Sequence, residues 1–173
     1  SALVTLPAYT QAILLWEFND LESYLNQNGK VINSRKQEFL EKHIEIAQSH
    51  GVYLLPGSFF SYRNEKIYHT SCIISPKGEI ILKQDQTHLS KRERNLGLSR
   101  GKILETVKTE IGFLGLCVGN DCYYPEVSRI LALKEADVIL CPNAIEGEYN
   151  RWKQFAGMWQ EVQQNQTFGL ESC

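Results

Sequence analysis

The stretch that decides the fold is IGFLGLCVGNDCYYPEVSR, which spans residues 111–129. Apolar residues fill 113–118, a Gly-Asn-Asp break follows at 119–121, and Pro125-Glu126 opens a segment with helical periodicity. This order predicts a buried strand, a sharp turn and a helix. Many α/β enzymes present a catalytic side chain at such a junction, at the carboxyl end of the strand. Here the turn carries Gly119, so the rest of the chain must show whether a catalytic side chain is missing or the glycine is an ordinary turn residue.

The composition is typical of a soluble globular protein. Of the 173 residues, 43% are hydrophobic and 22% are charged, and the formal net charge is -2. This length predicts one domain over residues 1–173. Because Lys and Arg form no basic stripe, we expect neither nucleic acid nor an anionic membrane as a partner.

Targeting signals and cysteine usage favour a cytoplasmic protein. No apolar run approaches the ~20 residues of a membrane span, and the first residues, SALVTLP, lack the basic region of a signal peptide. The five cysteines are odd in number, form no C-x-x-C pair and lie mostly in apolar runs. Free, reduced thiols are therefore expected.

Hydrophobic periodicity and turn residues predict alternating strands and helices. The segment 26–29 is expected to be a turn, and Gly57-Ser58 is expected to be a break between strands. Ser34 is the expected N-cap of a helix that ends at Gly51, and the polar segment 84–100 is expected to be a long loop. A strand, a helix and a strand over 113–141 predict a parallel crossover. The predicted strands cover 3–6, 52–55, 67–74 paired with 79–83, 103–108 paired with 113–118, and 137–141, and the other predicted helices cover 125–136 and 149–168.

The sequence predicts no metal site and no cofactor. The histidines at positions 43, 50, 69 and 88 lack the spacing of ligand pairs, and no cysteine lies near a histidine in a ligand pattern. The glycines at 112, 115 and 119 do not form G-x-G-x-x-G, and no Walker sequence is present. Nucleotide binding is therefore not supported.

Two cysteines beside the turn are candidate nucleophiles. Cys117 lies two residues before Gly119, and Cys122 lies three residues before Pro125. A reactive cysteine needs access and a depressed pKa, whereas an apolar strand interior disfavours the thiolate. Glu126, at the first turn of the predicted helix, has a structural explanation because its carboxylate meets the positive end of the helix dipole.

Several motifs resemble the carbon-nitrogen hydrolase (nitrilase and amidase) superfamily. The resemblance extends over about residues 3–168 and rests on Leu6-Pro7 after a strand, Gly57-Ser58, the PKGEI turn at 76–80, Thr87-His88-Leu89, the segment 119–129, and the ADVIL-x-P element at 136–142. It implies an α/β fold, an α-β-β-α sandwich with mixed sheets and flanking helices. It also implies a chain that is incomplete at both ends, because the family domain has elements before the first motif and after the last.

The catalytic positions of the resemblance do not carry the family's residues. Family members use a Cys nucleophile, a Glu base and a Lys that stabilises the tetrahedral intermediate, and these positions fall on Gly119, Ala8 and Gln86. A second acidic position falls on Ser61. Without nucleophile, base and cation, covalent C-N hydrolysis is expected to be lost. The remaining candidate pocket residues are Ser61, His88, Asp121, Cys122, Tyr123 and Glu126.

The leading hypothesis is therefore a non-catalytic binding or assembly module, whose pocket holds a small amide, amine or carboxylate. The resemblance implies a homo-oligomer, and the stripe formed by Trp152, Phe155 and Trp159 is either its interface or part of the core.

Two alternatives remain open at this point. The first is an active amide or nitrile hydrolase in which Cys122 or Cys117 has become the nucleophile and His88 the base. The second is a degenerate domain without any small-molecule role.

Overall fold

The computed structural model describes residues 2–144 and 150–173, and within these it describes the backbone but not the side chain of Gln154. The strands form two sheets. The first has the order β1-β2-β4-β3, with β5 pairing β4, and the second has the order β6-β7-β8-β9. The strands are β1 Leu3–Thr5, β2 Tyr53–Leu55, β3 Ser58–Arg63, β4 Lys66–Ile74, β5 Ile80–Asp85, β6 Thr106–Thr109, β7 Gly112–Leu116, β8 Val138–Pro142 and β9 Phe168–Ser172.

The helices flank these sheets. They are α1 Leu21–Leu25, α2 Gly29–His50, α3 Lys91–Asn95, α4 Pro125–Leu133, α5 Arg151–Gln154 and α6 Gln160–Asn165. Two 3-10 helices, Thr10–Leu15 and Gly119–Tyr123, and a kinked helical segment, Phe155–Trp159, complete the described elements. None of the helices in the described part of the chain combines the length and apolarity that crossing a membrane requires.

Three apolar layers show how the elements stack. Side chains of β2, β4, β7 and β8 meet between the two sheets and include Leu55, Ile73, Leu114, Leu116 and Leu140. On the outer side of the first sheet, α2 packs through Phe39, Leu40 and Ala47. On the outer side of the second sheet, α4 packs through Val127 and Leu131. These layers confirm the predicted α-β-β-α sandwich with mixed sheets.

The second sheet positions the turn that contains Gly119. Strands β7, β8 and β9 run parallel, with Leu116 beside Leu140 and Cys141 beside Glu171. The predicted crossover between β7 and β8 through α4 is confirmed. Because carboxyl ends of parallel strands meet at one edge of a sheet, the 3-10 turn after β7 lies beside the ends of β8 and β9. The two predicted antiparallel hairpins, β4 with β5 and β6 with β7, are also confirmed.

The predicted start of the long helix was wrong. Helix α2 begins at Gly29, because the Asn28 side chain accepts hydrogen bonds from the backbone N–H groups of Lys30 and Val31 and so caps it. A Cβ atom on Gly29 would overlap the Tyr62 ring. This glycine therefore permits close packing inside a helix, whereas the sequence favoured a turn.

Two other segments differ from the predictions. Gly57-Ser58 was expected to be a break, but Ser58 begins β3, which pairs with β4 over its whole length. The expected loop 84–100 contains α3, which is capped because Ser90 and Glu93 form a reciprocal capping box.

The C-terminal part also differs from the single predicted helix over 149–168, whose first residue lies outside the described ranges. Helical φ and ψ angles are interrupted at Gly157, and the chain ends in β9, which the sequence analysis did not predict. Trp152, Phe155 and Trp159 are exposed, at 65%, 44% and 52% of their surface. In the described chain these aromatic side chains are therefore not part of the core.

Candidate functional site

Gly119 and Gln86 lie against each other, although they are far apart in sequence. Gly119 is buried in the turn after β7 and has a φ of 53°, a conformation that glycine adopts without steric cost. A Cβ atom at this position would lie 3.4 Å from Gln86 Oε1 and 3.6 Å from His69 Cε1. A side chain on residue 119 would therefore point at the Gln86 amide.

Ala8, the third predicted triad position, lies close to the same place. Its backbone N–H donates to the Asn143 carbonyl at 3.0 Å. Asn143, at the end of β8, and Tyr9, which follows Ala8, both line a cavity that Gly119 also lines. Of the three positions that the resemblance assigns to the triad, Gly119 lines the cavity, Gln86 lies against Gly119, and Ala8 precedes the lining residue Tyr9.

This cavity has a volume of about 320 Å³, at the lower end of the range for small-molecule sites. Among the described residues, its lining combines one carboxylate, one ammonium group and several amides and hydroxyls. The lining residues are Tyr9, Ser90, Glu93, Gly119, Asn120, Tyr123, Asn143, Ala144 and Lys153.

Among the described residues that line the cavity, Glu93 has the most strongly shifted pKa. Its Oε1 accepts from the Tyr9 hydroxyl at 2.9 Å, and its Oε2 accepts from Gln86 Nε2 at 2.9 Å and from the Ser90 backbone at 2.7 Å. His69 Nδ1 lies 3.3 Å from Oε1. Burial acts to raise the pKa of Glu93, but the hydrogen bond and charge of His69, with the bonds from Ser90 and Tyr9, lower it to about 2.

His69 connects this carboxylate to the first sheet. The ring is fully buried on β4, its Nε2 lies 2.6 Å from Ser58 Oγ, and its Nδ1 is hydrogen-bonded to Gln86 Oε1. Tyr9 stacks on the ring with centroids 4.5 Å apart. Both ring nitrogens are thus engaged within the protein. In the resulting network, Tyr9 and Glu93 line the cavity, and Ser58, His69 and Gln86 lie behind them.

The predicted pocket residues His88, Asp121 and Glu126 come together, but in a separate cluster. His88 Nε2 lies 3.0 Å from Glu126 Oε1, and the His88 backbone donates to Asp121 Oδ1 at 2.6 Å. The His88 ring also stacks on Tyr124 at 3.9 Å. Burial raises the pKa of the Asp121 carboxyl, against the hydrogen bonds from Thr87 and His88. Within the described residues, the Gly119 cavity is not lined by these three side chains.

The other predicted residues are divided between the cavity wall and the core. Tyr123 lines the cavity. Ser61 lies on β3, where its hydroxyl is 2.9 Å from Thr70 Oγ1. The thiols of Cys117 and Cys122 are buried, each with 1% of the residue exposed.

Neither thiol has the properties of an activated nucleophile. A hydrogen bond with Cys141 acts to lower the pKa of Cys117, but burial and nearby acidic groups raise it to about 11. The hydrogen bond with Cys141 and burial raise the pKa of Cys122 far above its ordinary value. Both thiols are therefore protonated at neutral pH.

Five residues were not predicted from the sequence, namely Tyr9, Glu93, Asn143 and Lys153, which line the cavity, and His69, which contacts Glu93 behind it. One local signal was available, because Ser90-Lys-Arg-Glu93 matches the capping-box pattern. His69 and Asn143 carry no local signal, since their positions depend on strand pairing and on the order of strands in the sheets.

Comparison with known proteins places these observations in a family. The sequence model of the Carbon-nitrogen hydrolase family matches residues 5–169. A curated relative, deaminated glutathione amidase of Mus musculus, is 28% identical over 121 residues, which make up 62% of this chain and 38% of the relative. The chain thus spans less than half the length of that relative.

Solved structures share the fold. A carbon-nitrogen hydrolase from Helicobacter pylori G27 superposes with a TM-score of 0.77 at 23% identity, covering 99% of this chain and 61% of the other. A mutant amidase from Nesterenkonia sp. AN1, solved in complex with butyramide, superposes with a TM-score of 0.78 at 16% identity, covering 99% and 63%. These structural similarities show that the chain shares the fold of these proteins.

Proposed function

The chain belongs to the carbon-nitrogen hydrolase family, and on that premise we propose that it lacks a working catalytic triad and binds a small amide, amine or carboxylate without hydrolysing it. The observation that carries the proposal is the contact at Gly119. A side chain there would face the neutral amide of Gln86, with the Oε1 atom 3.4 Å from Cβ. Hydrolysis through a thioester needs a thiolate, a base and a cation at these places.

Gln86 does not replace the missing cation. Its Nε2 donates to the His88 carbonyl and to Glu93 Oε2, both at 2.9 Å. These bonds hold the amide group in place and use both of its N–H donors. Neither N–H group is therefore directed at an oxyanion. A neutral donor also stabilises a developing negative charge much less than a charged one.

Glu93 and His69 do not replace the missing base. A carboxylate with a pKa of about 2 is a weak proton acceptor at neutral pH. Its lone pairs are already occupied by Tyr9, Ser90 and Gln86. His69 is bonded to Ser58 at one nitrogen and to Gln86 at the other. These groups therefore support the wall of the site and do not provide acid-base chemistry.

The cavity itself supports the binding part of the proposal. Asn120 and Tyr123 offer neutral hydrogen-bonding groups, and Lys153 offers a positive charge. A carboxylate or an amide carbonyl would be recognised by Lys153, and an amide or amine N–H by the side-chain oxygens. These groups are complementary to a small polar ligand.

No observation favours the alternative of a relocated nucleophile. Cys117 and Cys122 are buried and carry raised pKa values, and His88 is engaged by Glu126 and Asp121. At neutral pH, a thiol-directed reagent should modify both cysteines more slowly in the folded protein than in urea. Modification of either one at a rate above that of the unfolded chain would support the hydrolase alternative.

Ligand-observed NMR tests the binding proposal with butyramide, butyrate and butylamine at about 10 mM, because ligands of this size bind weakly. We expect saturation transfer to at least one of them. Lys153→Met should weaken butyrate binding about tenfold, the loss of one charge-assisted hydrogen bond. Lys77→Met, in the β4–β5 turn, is the matched control. No transfer to any probe, or equal losses in both variants, would contradict the proposal.

A further inference from the structure

Three side chains that carry sulfur or carboxylate groups form a row across the second sheet. Leu116 pairs with Leu140, and the backbone N–H of Cys117 donates to Leu140 at 2.9 Å, so Cys117 follows β7 beside Cys141 on β8. Cys141 pairs in turn with Glu171 on β9. In-register residues of parallel strands point to the same face of a sheet. Two thiols and a carboxylate are therefore neighbours by topology.

Cys122 adds a third thiol from above this row. It lies in the 3-10 turn that follows β7, and its Sγ, the Cys141 Sγ and a Glu171 carboxylate oxygen all lie within 4.8 Å of one another. Cys117 is hydrogen-bonded to Cys141 as well. A Cβ atom on Gly157 would lie 3.5 Å from Cys122 Sγ. The kinked segment Phe155–Trp159 thus covers the cluster.

The Glu171 carboxylate has one committed oxygen and one free oxygen. Asn143 Nδ2 lies 2.8 Å from Glu171 Oε1 and 3.4 Å from Cys122 Sγ, so one amide orients both groups. Glu171 Oε2 is buried and accepts no hydrogen bond from the described residues. A buried carboxylate oxygen without a donor is normally paired or bound to a cation.

We propose that Cys122, Cys141 and Glu171 bind one Zn²⁺ ion, with a water molecule as the fourth ligand. Zn²⁺ takes sulfur and carboxylate ligands in a tetrahedron, with bonds of about 2.3 Å to sulfur and about 2.0–2.2 Å to oxygen. Thiolates discriminate against Mg²⁺ and Ca²⁺, which prefer oxygen. On binding, each ligating thiol releases its proton to solvent as its S–Zn bond forms. Asn143 acts as the outer residue that orients Glu171.

The proposed site adjoins the cavity but does not depend on a ligand there. Tyr123 and Asn143 line the cavity, and each is next to a member of the cluster in sequence or in space. Bound Zn²⁺ would join the turn after β7 to β8 and β9. It would therefore hold the Gly119 turn and the last strand to the centre of the sheet.

The sequence predicts no metal site because it contains no closely spaced ligand pairs. Here the ligands come from one turn and two separate strands, and the parallel register brings them together. Such a site leaves no short motif in the sequence.

Zinc titration of the reduced, metal-free chain in competition with a chromophoric chelator tests the proposal. We expect about one Zn²⁺ per chain, and Co²⁺ in its place should give sulfur-to-cobalt charge-transfer absorption and the visible bands of tetrahedral coordination. Cys141→Ser should weaken Zn²⁺ binding at least about 100-fold, since even outer residues are worth about 10–100-fold. Glu171→Gln, which preserves the shape of the side chain, should also weaken it.

Two other cysteines provide matched controls. Cys72 is fully buried in the core between α2 and the first sheet, and Cys173 is exposed near the C-terminus. Cys72→Ser and Cys173→Ser should each retain full Zn²⁺ affinity. Absence of stoichiometric binding, loss of binding in Cys173→Ser, or a Co²⁺ spectrum without sulfur bands would overturn the proposal. Retained affinity in Glu171→Gln would remove the carboxylate from the ligand set and contradict the site as proposed.

Discussion

At the scale of single residues, Glu93 shows how hydrogen-bond partners lower the pKa of a carboxylate inside the protein. It is a buried carboxylate held ionised by Tyr9, Ser90, Gln86 and His69. Because its pKa is lowered from 4.5 to about 2, the ionised form stabilises the fold at neutral pH. That contribution is complete above about pH 4.5 and is lost as the pH falls towards 2.

The predicted consequence is a specific acid sensitivity. Between pH 5 and pH 2 the wild-type chain should lose about 3 kcal/mol of unfolding free energy more than Glu93→Gln does. At pH 7 the variant should be less stable by about 2–4 kcal/mol, because Gln86 and Ser90 then face an amide without a charge. Urea unfolding at a series of pH values measures both quantities. Glu45→Gln, on the exposed face of α2, should behave as wild type, and an equal effect there would refute the assignment.

Gly119 provides the second prediction at this scale. Gly119→Cys should fold, because its Cβ would make ordinary contacts with Gln86 and His69. It should lose about 1–2 kcal/mol of stability because of the left-handed φ of 53°. It should release no ammonia from amides, because Ala8 and Gln86 leave the thiol without base or cation. Turnover by this single variant, measured by ammonia release, would show that another group supplies the missing chemistry.

The sequence led to a prediction for the triad positions, but not for the residues around them. The resemblance assigns the triad to Ala8, Gln86 and Gly119, and in the structure Gly119 lines the cavity with Gln86 against it. His69 and Glu93 could not be assigned, because their roles arise from strand pairing and from a helix inside an expected loop. A buried ionised group can be identified from the side chains that contact it. When those side chains are distant in sequence, no local pattern reveals them.

At the scale of elements, α4 shows how a helix is held against the second sheet. Its inner face buries Leu131 completely, whereas Leu133 is 67% exposed. A Cβ atom on Gly115 of β7 would lie 3.2 Å from Leu131 Cδ2. The glycine therefore lets the helix approach the strand closely, and Leu131 fills the space.

This packing predicts unequal effects of the same substitution in one helix. Leu131→Ala should cost about 2–4 kcal/mol of unfolding free energy, through lost burial and the cavity left behind. Leu133→Ala changes helix propensity equally and should stay within about 0.5 kcal/mol of wild type. Urea unfolding at pH 7 compares the two. Similar losses in both variants would mean that α4 does not pack as described.

Elements with strong periodicity were predicted well, and elements that depend on distant partners were not. The hairpins, the crossover and the helix after Pro125 follow from local patterns that agree with the final packing. Strand β3 begins at a Gly-Ser pair that favours a turn, and it exists because β4 pairs with it. The start of α2 was misplaced because Gly29 serves a contact with Tyr62.

At the scale of the whole molecule, the sandwich followed from the family resemblance more than from periodicity. Alternating strands and helices indicate an α/β protein, but they do not specify two sheets packed face to face. The order of strands in each sheet depends on which apolar faces meet. The core between the sheets, with Leu55 and Ile73 opposite Leu114 and Leu140, is a product of that long-range pairing.

The exposed aromatic cluster of Trp152, Phe155 and Trp159 leads us to propose self-association through this surface. Sedimentation equilibrium up to about 100 μM should show a species heavier than the monomer. Trp159→Asp should shift the protein to monomer. Trp16→Asp alters a tryptophan that is 86% exposed elsewhere and should not. A monomeric wild type, or dissociation in both variants, would rule out this interface.

The central claim is that the cavity beside Gly119 binds a small amide and leaves it intact. Butyramide labelled with ¹³C at the carbonyl carbon tests this directly, because one NMR time course with the wild-type chain reports both binding and hydrolysis. We expect the protein to broaden the amide signal. The area of this signal should stay constant over a day, and no butyrate signal should appear. A butyrate signal that grows in proportion to protein concentration, and is absent after heat denaturation, would contradict this claim.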